Sequence, residues 1–224
     1  MSDDTPPRDT PLTLLQDHAV RESFETFREQ MAGAMLFPRK PGLRKYCLKQ
    51  ALAAHGARAL YAEFGVWRGH GVNLFAKMLD EAGGTITGFD SFEGLEEDWT
   101  GHSKGGEAGR YTLDGVLPEV RANVRLVKGW VQDTVPGWLS EQGDAPFALA
   151  HFDMDTYTPT AFVLREIRAR LVAGSVILFD ELYGYPGWRN HEYKALQEEL
   201  PEDSYRFIGF SDQAVAIQMT RAPL

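Results

Sequence analysis

The sequence predicts one α/β domain: a mostly parallel sheet of seven strands, helices on both faces, and an antiparallel hairpin at the C-terminus. Three observations predict it. From residue 57 onward, short apolar runs alternate with stretches of helical spacing, the pattern of strand–helix–strand units. Four of those runs end in acids, at Glu63, Asp90, Asp153 and Asp180-Glu181. The last two runs, 205–210 and 214–219, are separated only by Ser211-Asp212-Gln213, a hairpin signal.

Residues 1–11 are acidic and Pro-rich and are expected to be a disordered tail, unlike a signal peptide. Leu14, Leu15, Val20, Phe24, Phe27 and Met31 give residues 12–31 helical spacing, and 43–55 reads as a second helix closed by Gly56. These N-terminal helices, residues 12–56, precede the first strand and are expected to cap a ligand site or to pack in a homodimer. Residues 33–42 read as a loop because of Pro38 and Pro41. The core domain, 57–224, then alternates. A strand over 57–64 leads through a glycine turn into a helix over 70–82, and Gly83-Gly84 turns the chain into a strand over 85–90. Residues 91–115 are long, Gly-rich and charged, a loop expected to be mobile and to order over a bound ligand. A short helix over 117–123 precedes a strand over 124–128. A helix over 132–142 is expected to be interrupted near Pro136. A strand over 146–152 is followed by a helix over 158–171, with Thr158 as N-cap and Pro159 at the first helical position. A strand over 175–179 and a helix over 190–200 complete the alternation.

The chain has 224 residues, enough for one domain with a proper core. Its net charge of −9 argues against a nucleic-acid partner. The single cysteine, Cys47, excludes an internal disulfide and a cysteine-based zinc cluster, and fits a reducing cytoplasm. No apolar run approaches the length of a membrane span.

The chemistry is expected at the carboxyl ends of the strands, where open α/β sheets bind ligands. Gly65, Gly69 and Gly71 form a strand–turn–helix passage that lets backbone approach a nucleotide-like ligand. Its spacing is not the dinucleotide pattern, because Gly69-x-Gly71 is followed by Leu74 where a small residue is needed. Asp90, one strand–helix unit later, either accepts the hydroxyls of a ribose or caps its own loop. Gly129-Trp130-Val131-Gln132-Asp133 offers an aromatic wall and an acceptor for an adenine, or else a core tryptophan beside a helix-capping acid. Asp153-Met154-Asp155 and Asp180-Glu181 place hard oxygen donors at adjacent strand ends, suited to Mg²⁺ or Ca²⁺, or are surface acids without a metal. His151 reads as a core histidine. His191 lies nearer the rim.

Taken in order, Glu63-Phe-Gly-Val66-Trp67-Arg-Gly69, Asp90-Ser91-Phe-Glu-Gly-Leu95, Gly129-Trp-Val-Gln-Asp-Thr-Val-Pro136 and Asp153-Met-Asp-Thr-Tyr-Thr-Pro-Thr160, with 174–181, resemble the macrocin-type O-methyltransferase family. The resemblance covers roughly residues 45–193. It implies a Rossmann-like class I methyltransferase fold that uses S-adenosylmethionine (SAM) and Mg²⁺ to methylate sugar hydroxyls in natural-product biosynthesis. On it, Glu63, Gly65 and Gly69, with Val66 and Trp67 between them, hold the methionine end of SAM. Asp90 with Ser91 holds the ribose, and the segment Gly129, Trp130 to Asp133 holds the adenine side. Asp153, Asp180 and Glu181 match the metal ligands, and Asp153 also matches the base and borders the cofactor. The chain departs from the family at Glu181, where a second Asp is usual, and in residues 96–115 and 184–188, so the macrolide acceptor is not carried over. The expectation is a small-molecule acceptor, with no nucleic acid and no membrane. The competing readings are a dinucleotide-dependent oxidoreductase, disfavoured by the glycine spacing, and a non-catalytic SAM-binding protein of the same fold.

Overall fold

A computed structural model describes residues 10–223. The expected tail falls largely outside them, except that Thr10 and Pro11 already belong to a helix. That helix, α1 (Pro11–Gly33), opens with a capping box in which Thr10 and Thr13 each accept from the other's backbone N–H. It is followed by β1 (Met35–Leu36), α2 (Lys40–His55), β2 (Leu60–Phe64), α3 (His70–Glu81), β3 (Ile86–Asp90), β4 (Val124–Lys128), α4 (Val131–Glu141) and β5 (Phe147–Phe152). Then come α5 (Tyr157–Ile167), β6 (Val176–Phe179), α6 (Glu192–Glu199), β7 (Tyr205–Ser211) and β8 (Ala214–Met219).

The sheet has eight strands, in the order β1-β7-β8-β6-β5-β2-β3-β4, rather than seven. The added strand is β1. Its two residues pair parallel with β7, Met35 opposite Gly209 and Leu36 opposite Phe210, within the stretch expected to be a loop. Two residues just ahead of Pro38 carry no strand periodicity, so the edge β7 decides their conformation. β8 runs antiparallel to both β6 and β7, as the hairpin signal requires. The chain starts at β2, moves out through β3 and β4, and returns to β5 on the other side of β2. The crevice at the carboxyl ends of β2 and β5 is therefore the switch point where such sheets bind ligands.

Side chains alternate across each strand, so the two faces feed two cores. One contains Leu43, Cys47 and Leu48 of α2 with Val72, Phe75 and Leu79 of α3. The other contains Phe27 of α1 with Val135, Trp138, Leu164 and Leu196 of α4 to α6. Just below the rim, Phe89, Phe64, Phe152 and Phe179 sit on adjacent strands with ring centroids 5.1–5.3 Å apart. This buried row gives the site a dry floor.

Three local expectations change. Residues 117–123 are not helical. Their polar groups turn to Asn73, whose amide donates to the Glu119 carbonyl (3.1 Å) while its oxygen accepts from Arg121 N–H (2.8 Å). α4 runs through Pro136 without a break. Pro136 lies in the second turn, so its missing N–H deprives the helix of one bond. The N-cap of α5 is Thr156, not Thr158. Thr158 instead gives both its N–H (2.8 Å) and its hydroxyl (2.7 Å) to the carboxylate of Glu97.

Residues 91–115 form no helix or strand beyond one antiparallel bridge, Trp99 with Gly106. The segment nevertheless packs down. Phe92 and Trp99 are buried, and Gly187 N–H donates to the Gly101 carbonyl at 3.2 Å. The two stretches that depart from the family pattern therefore meet each other. α1 holds the second of them, since Gln16 donates to the Gly184 carbonyl and Gly184 N–H to Ser23 Oγ.

Candidate active site

The rim is set by the sheet itself. Past each strand end the next N–H bonds back to a neighbouring strand: Gly129 to Asp90, Gly65 to Phe89, Asp153 to Phe64 and Asp180 to Phe152, at 2.8–3.0 Å. Residues 90, 129, 65, 153 and 180 are thereby fixed in line. Gly65 has φ +88°, and a Cβ there would lie 1.9 Å from the Asp153 carbonyl oxygen. Only glycine lets β2 and β5 end this close together.

A cavity of about 430 Å³ opens above this line, within the range of small-molecule pockets. Gly65, Val66, Trp67, Asp90 and Ser91 line one end, with Gly129 and Trp130 beside them. Asp153, Asp155, Glu181 and Arg44 line the other, and Trp99, Lys104 and Tyr111 of the long loop close over it. Trp67 and Tyr111 meet edge to face at 5.5 Å, and both have positive φ, +46° and +68°. Strained non-glycine backbone of this kind concentrates at ligand sites.

Not every expected residue reaches the cavity. Glu63 is 1% exposed and lies behind the turn. Its Oε1 accepts from Val72 N–H at 2.9 Å, which caps α3, and its Oε2 meets His151 Nδ1 at 3.0 Å. Glu63 thus holds the turn and the start of α3 and does not itself line the cavity. Gly69 is the N-cap of α3 in left-handed geometry, and Asp133 is exposed in the first turn of α4; neither lines the cavity. Trp130 is half-buried and on the cavity wall, so it is not the core tryptophan of this region; Trp138 is. Asp90 lines the cavity but also holds the turn. Its Oδ2 accepts from Val66 (2.8 Å) and Trp67 (2.7 Å) N–H, and its Oδ1 from Phe92 N–H (2.6 Å). Two lone pairs on each oxygen leave one acceptor position for a ligand.

The acids form a second layer. Strand register places His151 opposite Glu63, and His151 Nε2 lies 3.4 Å from Asp180 Oδ1. Burial works against a charge on His151, but the hydrogen bonds to Asp180 and Glu63 overcome it and raise its pKa to about 9. Lys40 bonds Asp180 Oδ2 at 2.8 Å and also Glu181 Oε1, while Arg44 Nη2 bonds Asp180 Oδ1 at 2.7 Å and Asp153 Oδ2 at 3.3 Å. Burial would raise Asp180, yet His151, Lys40 and Arg44 together hold it well below the ordinary carboxylate range. Asp153 and Asp155 move the opposite way. Burial raises Asp153 first, then the charges of Asp180 and Glu181; burial and Glu181 raise Asp155.

Carboxylate oxygens of Asp153, Asp155 and Glu181 all lie within 4.8 Å of one another, and so do ligand atoms of His151, Asp153 and Asp180. Asp155 thus joins Asp153 and Glu181, as the Asp153-x-Asp155 spacing suggested, although the family resemblance gave it no ligand role. Glu192 lies deeper than a rim residue: it is fully buried, and its Oε2 accepts from Glu181 N–H at 3.1 Å. His191 does not line the cavity. Its Nε2 meets the Thr100 carbonyl at 3.0 Å and ties the two loops together.

A family model described as a methyltransferase domain matches residues 62–182. The 8-demethyl-8-(2,3-dimethoxy-α-L-rhamnosyl)-tetracenomycin-C 4′-O-methyltransferase of Streptomyces olivaceus is 30% identical over 171 residues, 67% of this chain. The match spans 63% of that relative's length. Among solved structures, the calicheamicin methyltransferase CalS11 superposes with a TM-score of 0.67 at 24% identity, over 95% of this chain and 94% of its own. An O-methyltransferase from Bacillus cereus in complex with SAH superposes with a TM-score of 0.51 at 13% identity, over 98% and 94%. The class I fold, the glycine turn and the match over residues 62–182 agree, and the chain belongs to the methyltransferase domain family.

Proposed function

We propose that the cavity binds SAM at its Gly65–Asp90–Trp130 end and presents a sugar hydroxyl of a glycosylated natural product, or of its activated sugar precursor, to Asp153. The observation that carries this reading is the union of two halves in one cavity: a glycine turn beside an acid with one free acceptor position, and a cluster of hard carboxylates. The Streptomyces relative is named for a rhamnosyl substrate and CalS11 is titled a TDP-rhamnose 3′-O-methyltransferase, which supports a deoxyhexose as the acceptor class.

His70 and Gly71, the first two residues of α3, line the cavity, and the positive end of the helix suits the carboxylate of SAM. The remaining acceptor position of Asp90 suits a ribose hydroxyl, and Trp130 offers a face to the adenine. Bound there, SAM supplies a methyl group activated on a sulfonium. Asp153 takes the proton of the acceptor hydroxyl, whose oxygen would gain the methyl as the carbon–sulfur bond breaks and S-adenosylhomocysteine leaves. Arg44 holds Asp153 in place, and the loop carrying Trp99 and Tyr111 keeps water out.

The acids also suit a divalent cation such as Mg²⁺. Among the described residues, six carboxyl groups, Glu63, Asp153, Asp155, Asp180, Glu181 and Glu192, meet three cationic groups, Lys40, Arg44 and His151. Glu181 Oε2 is buried with no partner. Both oxygens of Asp180 are engaged, so Asp153, Asp155 and Glu181 would be the principal ligands, with Asp180 beside them. There the ion would lower the pKa of an acceptor hydroxyl.

The test is transfer of labelled methyl from SAM to dTDP-L-rhamnose, to an L-rhamnosylated aromatic polyketide, and to a catechol without sugar. Label on a rhamnose hydroxyl is expected. Label on the catechol alone would overturn the sugar assignment.

A further inference from the structure

Two of the three cationic groups that meet the acid cluster, Lys40 and Arg44, come from α2, outside the residues 62–182 that define the family match. Lys40 is the first residue of α2 and Arg44 lies one turn on, so both project from one side of the helix. A lysine at this position opposes the helix dipole, and no acid in the first turn compensates. The helix itself therefore gives no reason for Lys40. Its partners do: the side chain is 17% exposed, and its ammonium bridges Asp180 and Glu181, whose side chains are 6% and 7% exposed. A divalent cation would draw on these same oxygens.

We propose that Lys40 is a built-in cation that competes with a divalent metal for Asp180 and Glu181. It neutralises part of the cluster permanently and leaves the carboxylates nearest the cavity, Asp153, Asp155 and the free oxygen of Glu181, for the exchangeable ion. α2 is then a component of the active site as well as packing for the sheet, and Lys40 is a positioning residue that sets how strongly the enzyme takes up metal. The inference builds on the cation seat proposed above, and its test separates the two.

The experiment is Mn²⁺ titration of the full chain followed by electron paramagnetic resonance, for wild type, Lys40→Met and Lys40→Arg. Removing a fixed positive charge a few ångströms from the seat should tighten Mn²⁺ binding by about tenfold or more, and Lys40→Arg should bind as wild type does. Lys40→Gln replaces the methionine variant if circular dichroism shows the latter unfolded; Arg44 and His151 still anchor Asp180 in both. A wild type that binds no Mn²⁺ beside a Lys40→Met that does would remove the metal from the native enzyme while supporting the competition. Equal behaviour of Lys40→Met and wild type, including no binding by either, would overturn it.

Discussion

Asp90 and His151 show how single residues serve both fold and site. Asp90 accepts three backbone N–H groups, so Asp90→Ala should loosen the glycine turn as well as lose a ligand contact. Hydrogen bonds to a charged group contribute about 1.5–3 kcal/mol each in favourable cases. A loss of about 2 kcal/mol or more, roughly 4–8 °C in melting temperature, is expected for a chain of this size. SAM affinity by calorimetry should fall by about one to two decades. An unchanged melting temperature would refute the turn-holding role. His151 carries a raised pKa, about 9 against an ordinary 6.5, because Asp180 and Glu63 flank it. A raised folded-state pKa means its contribution is fully present below pH 6.5 and lost as pH rises through about 9. Urea unfolding of wild type should therefore lose up to roughly 3 kcal/mol across that window, relative to His151→Gln. Parallel pH profiles for the two proteins would show that His151 is neutral in the fold.

At the scale of elements, what the sequence made legible follows from periodicity and what it hid follows from tertiary contact. The strands over 124–128 and 214–219 are found at those bounds, because apolar runs bounded by turn residues need little context. β1 escaped because two residues carry no period. The residues 117–123 were misjudged because Asn73, distant in sequence, takes their hydrogen bonds. The acid at Glu63 was visible, but its burial behind α3 was not, since spacing says nothing of which way a strand-end side chain points. Lys40 falls in a stretch that reads as a loop and Arg44 at the start of the second helix, and no local pattern ties them to Asp180. The loop over 91–115 was legible as long and Gly-rich. Its fastenings, Trp67 to Tyr111, Thr158 to Glu97 and Thr100 to His191, join it to three separate elements. Of these residues Trp67 and Tyr111 line the cavity. Hydrogen exchange should show the Leu95, Trp99 and Gly106 amides gaining protection when SAH and acceptor are bound. Equal protection in free and bound protein would argue that the loop is a fixed wall.

The whole molecule combines a common sheet with a local charge arrangement. The chain carries a net charge of −9, yet its acid cluster is held by cations from a helix before the first core strand. Among the described residues, no helix is long and apolar enough to cross a membrane. Two halves of one cavity, the glycine turn with Asp90 and the carboxylate cluster, meet at Asp153, whose N–H is tied to the end of β2. The central claim is that this carboxylate removes the acceptor proton. It is tested most directly by single-turnover methyl transfer from SAM to a rhamnosyl acceptor, comparing wild type with Asp153→Asn after calorimetry has shown equal SAH affinity. Loss of a positioned base costs about 10²- to 10⁴-fold, and a fall of that size is predicted. Transfer by Asp153→Asn at the wild-type rate would contradict the account.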